Sequence, residues 1–194
     1  MAHPYFPLAA LLAGAVLVNV PHAASAQVRD AAGEISLSDE SAQLQYLTWG
    51  SGQSTELGFG LFLNENRDII ATSHYYIEAE AIGSSRLTFK AGPVAYAAML
   101  NTENTDVFAI AVGAEIRYEL LRRPSISLAV QGAYAPDILT FGSADNLYDF
   151  TGRAELPLTD NVIGFAGYRK LEFDLLTGSR EVEESAIVGI RYLF

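Results

Sequence analysis

The feature that most constrains this chain is a period of two. From about Ala32 to the last residue it falls into short segments that are apolar at every second position and separated by turn-forming residues. Successive side chains of a strand point to opposite faces, so this pattern builds sheet with one apolar face, and no stretch of it carries a helical period. In the final segment Ala186, Val188, Ile190, Tyr192 and Phe194 share one face. Ser185, Gly189 and Arg191 lie on the other, with Ile187 and Leu193. Asn146 to Leu156 repeats the arrangement, with Tyr148, Phe150, Gly152, Ala154 and Leu156 opposite Asp149, Thr151, Arg153 and Glu155. Phe108, Ile110, Val112, Ala114, Ile116 and Tyr118 oppose Ala109, Ala111, Gly113, Glu115, Arg117 and Glu119. Ile126 to Tyr134, Val162 to Tyr168 and Leu57 to Leu63 follow the same rule. Arg86 to Met99 slips near Gly92-Pro93, where a bulge would change the outward face. Ile69 to Ile77 is apolar on parts of both faces.

The polar faces decide what the apolar faces meet. They are rich in Gly and Ala as well as charge, which suits a crowded interior better than a solvated exterior. Aromatic residues gather near segment ends (Tyr118, Tyr134, Tyr148, Tyr168, Tyr192 and Phe194), where interfacial girdles form. The reading is therefore all-β: a closed antiparallel transmembrane β-barrel with lipid outside and small or charged residues in the lumen. A soluble periplasmic β-barrel binding an apolar ligand is the alternative fold for the same alternation.

The first residues point to export. Pro7 to Val20 is apolar except for Asn19, shorter than the roughly 20 residues of a spanning helix, and Pro21 and Ala24-Ser25-Ala26 follow it. This predicts a signal peptide over 1–26, cleaved after Ala26, and a barrel domain over 27–194. The n-region lacks Lys and Arg, which departs from the usual pattern. The 23 acidic against 12 basic residues, a net charge of −11, argue against nucleic acid as a partner. With no cysteine, thiolate metal sites, thiol nucleophiles and disulfides are excluded.

Counting back from the C-terminus gives nine strands, with Gln43 to Trp49 the first. Bacterial single-chain barrels have even numbers, so ten strands are favoured, with Glu34 to Ser38 as the added one; eight is the other possibility. The expected connections alternate, with Pro136 to Asp145 and Leu175 to Arg180 as long external loops and Arg122-Arg123-Pro124 and Pro157 to Asn161 as internal turns. The C-terminal strand then ends on the periplasmic side.

The segment Ala109-Ile-Ala-Val-Gly-Ala-Glu-Ile-Arg-Tyr118 and the strand end Gly132-Ala-Tyr-Ala-Pro-Asp137 carry a family resemblance. So do Phe165-Ala-Gly-Tyr-Arg169 and the terminal Val188-Gly-Ile-Arg-Tyr-Leu-Phe194. From about Glu56 to Phe194 the chain resembles the YfaZ family of small predicted outer-membrane proteins. The resemblance implies architecture and address, and no activity residue by residue.

Candidate chemistry is sparse. His74 is the single histidine after residue 26, and its neighbour Ser73 points to the opposite face, so no catalytic pair forms there and a lumen or surface hydrogen-bonding residue is expected. Glu181, Glu183 and Glu184, like Glu78 and Glu80, lack calcium-loop spacing and read as solvated acidic positions. No cofactor or metal is expected, and no enzyme. The inward face carries the more telling set: Glu115, Arg117, Glu119, Gln131, Asp149, Arg153, Glu155, Arg169 and Arg191. Charges in a narrow lumen must pair or be hydrated, so these predict a salt-bridged, filled interior, with a narrow porin-like channel as the alternative. Ile190, Tyr192 and Phe194 form the expected assembly signal, read by the barrel-assembly machinery. The remaining expected partners are outer-membrane lipid and lipopolysaccharide, met as a monomer, with Ile138, Leu139 and Phe141 exposed on an external loop.

Overall fold

The computed structural model describes residues 30–50, 54–80, 86–102, 104–122, 125–175 and 178–194. The expected signal peptide and its cleavage site lie outside the described residues. The strands are β1 (Ala31–Leu37), β2 (Ser41–Trp49), β3 (Thr55–Asn64), β4 (Ile69–Glu80), β5 (Leu87–Leu100) and β6 (Thr105–Arg122). They continue as β7 (Ser125–Ala135), β8 (Thr140–Gly142), β9 (Ala144–Pro157), β10 (Val162–Leu175) and β11 (Gly178–Leu193).

Ten of these close into an antiparallel ring, each paired with its neighbours in chain order, and β11 returns to β1. The tenth strand is the expected short one at Glu34 to Ser38, observed as β1. It sits between β2 and β11, with Ala32 opposite Leu193 and Leu37 opposite Val188. The start of β1 and the end of β11 therefore lie at one end of the barrel, here termed proximal.

The outer wall is apolar. Ile35, Leu44, Phe59, Val112, Ile116, Val130, Phe150, Val188 and Ile190 are all exposed, while the buried charged residues point inward. A soluble barrel would show the reverse, so the surface of this one is made for hydrocarbon. Tyr46, Tyr192 and Phe194 cluster at the proximal end, with ring centroids 6.2 and 5.9 Å apart in the two contacts. Tyr134 and Tyr148 meet at 4.9 Å towards the other end.

Three expectations, two about connections and one about a strand, are corrected. Leu175 to Arg180 is not a long loop. The inward alternation of Leu171, Phe173 and Leu175 continues to the tip, and Val182 and Arg180 answer it on β11, so the strands run on past the apolar band. Charged outward residues in this stretch gave it the composition of a loop. Pro136 to Asp145 is not free either. It forms a 3-10 turn at Asp137–Leu139 and then β8, which pairs Thr140, Phe141 and Gly142 with Ala109, Phe108 and Val107. Since β7 ends at Ala135, the edge of β6 beyond it would otherwise lack backbone partners, and β8 supplies them. Among the described residues the long–short alternation of loops is not seen: distal connections such as 38–40 and 65–68 are no longer than proximal 158–161.

The third correction concerns Gly92-Pro93. His74 pairs with Val94 and Ile77 with Ala91 in one unbroken register, and Lys90, Val94, Tyr96, Ala98 and Leu100 all face inward. No bulge changes the face. The glycine instead permits close approach, because a Cβ there would lie 2.0 Å from the Tyr75 carbonyl oxygen. True register shifts fall at Leu171/Glu172 of β10 against β11, at Asp174/Leu175 of β10 against β9, and at Glu119/Leu121 of β6.

Candidate functional site: the filled lumen

The lumen has two chemically different halves. In the proximal half, inward positions of β1, β3, β5, β6, β9 and β11 bring ionised groups together. Arg191 donates to Glu34 through Nε at 2.8 Å and through a terminal nitrogen at 2.7 Å. Arg153 reaches the other Glu34 oxygen at 2.8 Å and Glu155 at 2.8 Å. Arg117 continues the chain to Glu155 at 2.9 Å and Glu115 at 3.3 Å. Lys90 joins Glu115 at 3.5 Å to Glu56 at 2.7 Å, and Glu56 ends the chain on His74 at 3.2 Å and the Trp49 indole at 2.8 Å. Glu34, Glu56, Glu115 and Glu155 are thus matched by Lys90, Arg117, Arg153 and Arg191. Such matching is what allows charges to sit inside a wall that faces hydrocarbon.

A middle layer is polar but less charged. Arg169 makes two bonds to Asp149, at 3.3 and 3.0 Å, donates to Gln43 at 2.7 Å, and lies 5.1 Å from the Phe62 ring centroid. Tyr96 donates to Asp149 at 3.0 Å, and Gln131 donates to the Tyr76 hydroxyl at 3.3 Å. Between these groups is a space of about 30 Å³, bordered among others by Gln45, Thr72, Thr151 and Arg153. It has room for a few water molecules and no more.

The distal half is an apolar plug. Phe62, Ile70, Leu100, Leu147, Leu171 and Phe173 are each at most 1 % exposed and form one cluster with Val107, Leu175 and Val182. Above it Asp68, fully buried, accepts from Asn64 at 3.0 Å, from Arg180 at 3.2 Å and from the Asn101 backbone amide at 2.8 Å. One carboxylate therefore ties together the β3–β4 turn, the β5–β6 turn and the β10–β11 hairpin.

Of the residues picked from the sequence, Glu115, Arg117, Arg153, Glu155 and Arg191 lie in the proximal chain. Asp149 and Arg169 form the middle layer with Gln131, and Glu119 sits nearer the rim, where Ser125 donates to it at 3.5 Å. Ile190, Tyr192 and Phe194 are all exposed on the outer face of the last strand and beyond it.

Sequence reasoning missed Glu34, Glu56 and Lys90 as members of the network, and all of Asp68, Arg180 and the plug; of the two places expected for a hydrogen-bonding His74, the structure shows the lumen. Strand parity could have found Lys90, which shares its face with Val94 and Tyr96. Glu34 lies in the weakest strand, and Glu56 and Glu115 stand on strands that are far apart in the chain. His74 is held by packing as well as by Glu56. Its ring stacks on Tyr76 at 4.5 Å, and a Cβ at Gly58 opposite would lie 2.1 Å from it.

An apolar outer wall, a ten-stranded ring and a charged interior define an outer-membrane β-barrel. Within that class the match is specific: the profile of the family described as YfaZ precursor covers residues 31–194, and the chain belongs to the YfaZ family. The match extends the sequence resemblance towards the N-terminus, to the start of β1. Among solved structures the barrel is similar to the outer membrane channel DcaP of Acinetobacter baumannii, with 8 % identity and a TM-score of 0.45 over 83 % of this chain. This chain spans about half of that one, 54 %. It is also similar to a KdgM porin in complex with disordered oligogalacturonate, with 10 % identity and a TM-score of 0.48 over 85 % of this chain and 99 % of that one. No curated protein sequence matches the chain.

Proposed function

We propose that this protein is a closed, non-catalytic barrel of the bacterial outer membrane, acting as a structural element and through its distal surface rather than as an open pore. The observation that carries the reading is the filled lumen, charged in one half and apolar in the other, with about 30 Å³ between the charged and aromatic side chains of the middle layer. A non-catalytic role is supported by His74, whose imidazole is engaged by Glu56 and Tyr76 while Ser73 lies on the other side of the strand. At the distal end Ile138 is 82 % exposed and Phe141 packs beside Phe108 on the outer wall, which suits contact with lipopolysaccharide or another outer-leaflet partner. Leu139, by contrast, is half-buried and offers less surface. Lipid surrounds a monomer in this reading, and the assembly machinery takes the strand that ends in Ile190, Tyr192 and Phe194.

Conductance of purified protein in a planar bilayer tests it. The expected result is a silent membrane. Steady single-channel steps in the unmodified protein would instead establish a narrow channel for small solutes. That second reading is favoured by one feature, the polar middle layer lined by Gln43, Gln45 and Thr72.

A further inference from the structure

The distal part of the β10–β11 hairpin is attached to the barrel unequally on its two sides. On one side β10 is paired with β9 along its whole length, from Ile163 opposite Pro157 to Leu175 opposite Ala144. On the other side β11 has a ladder partner only from Val188 to Leu193, because β1 stops at Leu37 and turns back. Among the described residues, the outer edge of β11 from Gly178 to Ile187 carries no ladder. That edge is held by side chains: Asn64 donates to the Val182 carbonyl at 3.3 Å, and Arg180 pairs with Asp68 at 3.2 Å. The register shift in β11 opposite Leu171/Glu172 falls midway along this free stretch, where Val182 and Glu183 are both buried in succession, so Glu183 is not the solvated position expected from the sequence.

The two faces of the hairpin point the same way. Inward it carries Leu171, Phe173, Leu175 and Val182, a large share of the apolar plug. Outward it carries Lys170, Glu172, Glu181 and Glu184, bridged to one another through Lys170 at 3.0 to 3.4 Å. Charges of that density do not face hydrocarbon, so this part of the hairpin stands in water beyond the membrane band. A sheet segment with a continuous ladder on one side, a free edge on the other and a side-chain latch on that edge can swing without breaking a backbone hydrogen bond of the barrel.

We propose that the distal β10–β11 hairpin is a lid, hinged along β9–β10 and latched at its free edge by Asp68 and Asn64, that opens the distal mouth onto the polar middle layer. Opening moves the plug residues of the hairpin with it and leaves Thr72, Gln43 and Arg169 facing the mouth. The proposal rests on the closed-barrel reading, since a lid has meaning only where the mouth is shut.

The absence of cysteine makes the test direct. Thr72→Cys places one thiol in the middle layer, and its modification by a small charged thiol reagent is timed in the folded, detergent-solubilised full chain. Slow labelling is expected in the parent. Asp68→Asn should accelerate it at least tenfold, Arg180→Gln by a smaller factor, and Glu172→Gln, on the outward face away from the latch, not at all. Heat-modifiable gel migration must show each variant folded. Equal rates in folded parent, Asp68→Asn and Arg180→Gln overturn the lid. Loss of the folded band in both latch variants overturns it as well, because the latch would then belong to the fold as a whole. Fast labelling already in the parent contradicts the closed barrel itself, and so separates its failure from that of the lid.

Discussion

The two halves of the lumen solve the same problem with opposite chemistry. Both must fill a narrow space whose outer wall is already apolar. The distal half does it as a soluble core does, with Phe62, Leu147, Leu171 and Phe173 in one buried cluster and the Asp68 carboxylate buried above them. The proximal half does it with charges in a continuous chain from Arg191 to His74. The difference concerns tolerance. An apolar cluster loses a side chain and keeps the rest, while a buried ion chain that loses one member strands its neighbours.

The largest effect should therefore come from Glu34→Ala. It leaves Arg153 and Arg191 without their shared carboxylate at the seam where β1 meets β11, and the expected loss is about 5 kcal/mol. Urea unfolding in detergent micelles measures it, and a loss under about 1 kcal/mol would mean that water, not Glu34, satisfies the two arginines. Next is Phe173→Ala in the plug, expected to cost about 3 kcal/mol by the same measurement, since the aromatic ring is fully buried but stands in the more adaptable half. A cost equal to that of Glu34→Ala would erase the distinction between the halves. The smallest effect is that of salt. Raising ionic strength from about 0.1 to 1 M should change the stability contributed by the proximal chain by less than about 0.5 kcal/mol, because buried pairs are poorly screened. A comparison of the parent with Glu34→Ala at both salt levels isolates that term. A large salt response would show that the chain is wet.

Much of the barrel was legible from alternation alone. The inward and outward sides of β6, β7 and β9 follow the sequence pattern residue by residue, because one face meets hydrocarbon and a slip of one residue would invert it. Where two faces were both apolar, as in β4, the pattern was silent. There the structure puts Ile70, His74 and Tyr76 inside and Tyr75 and Ile77 outside. The β10–β11 hairpin misled for the complementary reason. Beyond the membrane the outward face turns charged, so alternation persists while composition resembles a loop.

The candidate site divides in the same way. Arg117 with Glu115, and Arg153 with Glu155, are close in sequence on single strands and could be paired on paper. Glu34 with Arg153, 119 positions apart, could not, and neither could Asp68 with Arg180, 112 apart.

By itself the sequence determined that this chain is a barrel, which side chains of strands such as β6, β7 and β9 face outward, and that its interior must hold paired charge. Those follow from local rules: a period of two, turn formers between segments, and the cost of an unpaired charge out of water. Only the tertiary structure decided which charges pair across the closure of β1 on β11, that an apolar plug seals the distal half, and that one edge of β11 is held by side chains. Those depend on closure, tilt and strand height around the ring, quantities that bring distant residues together and that no single segment encodes.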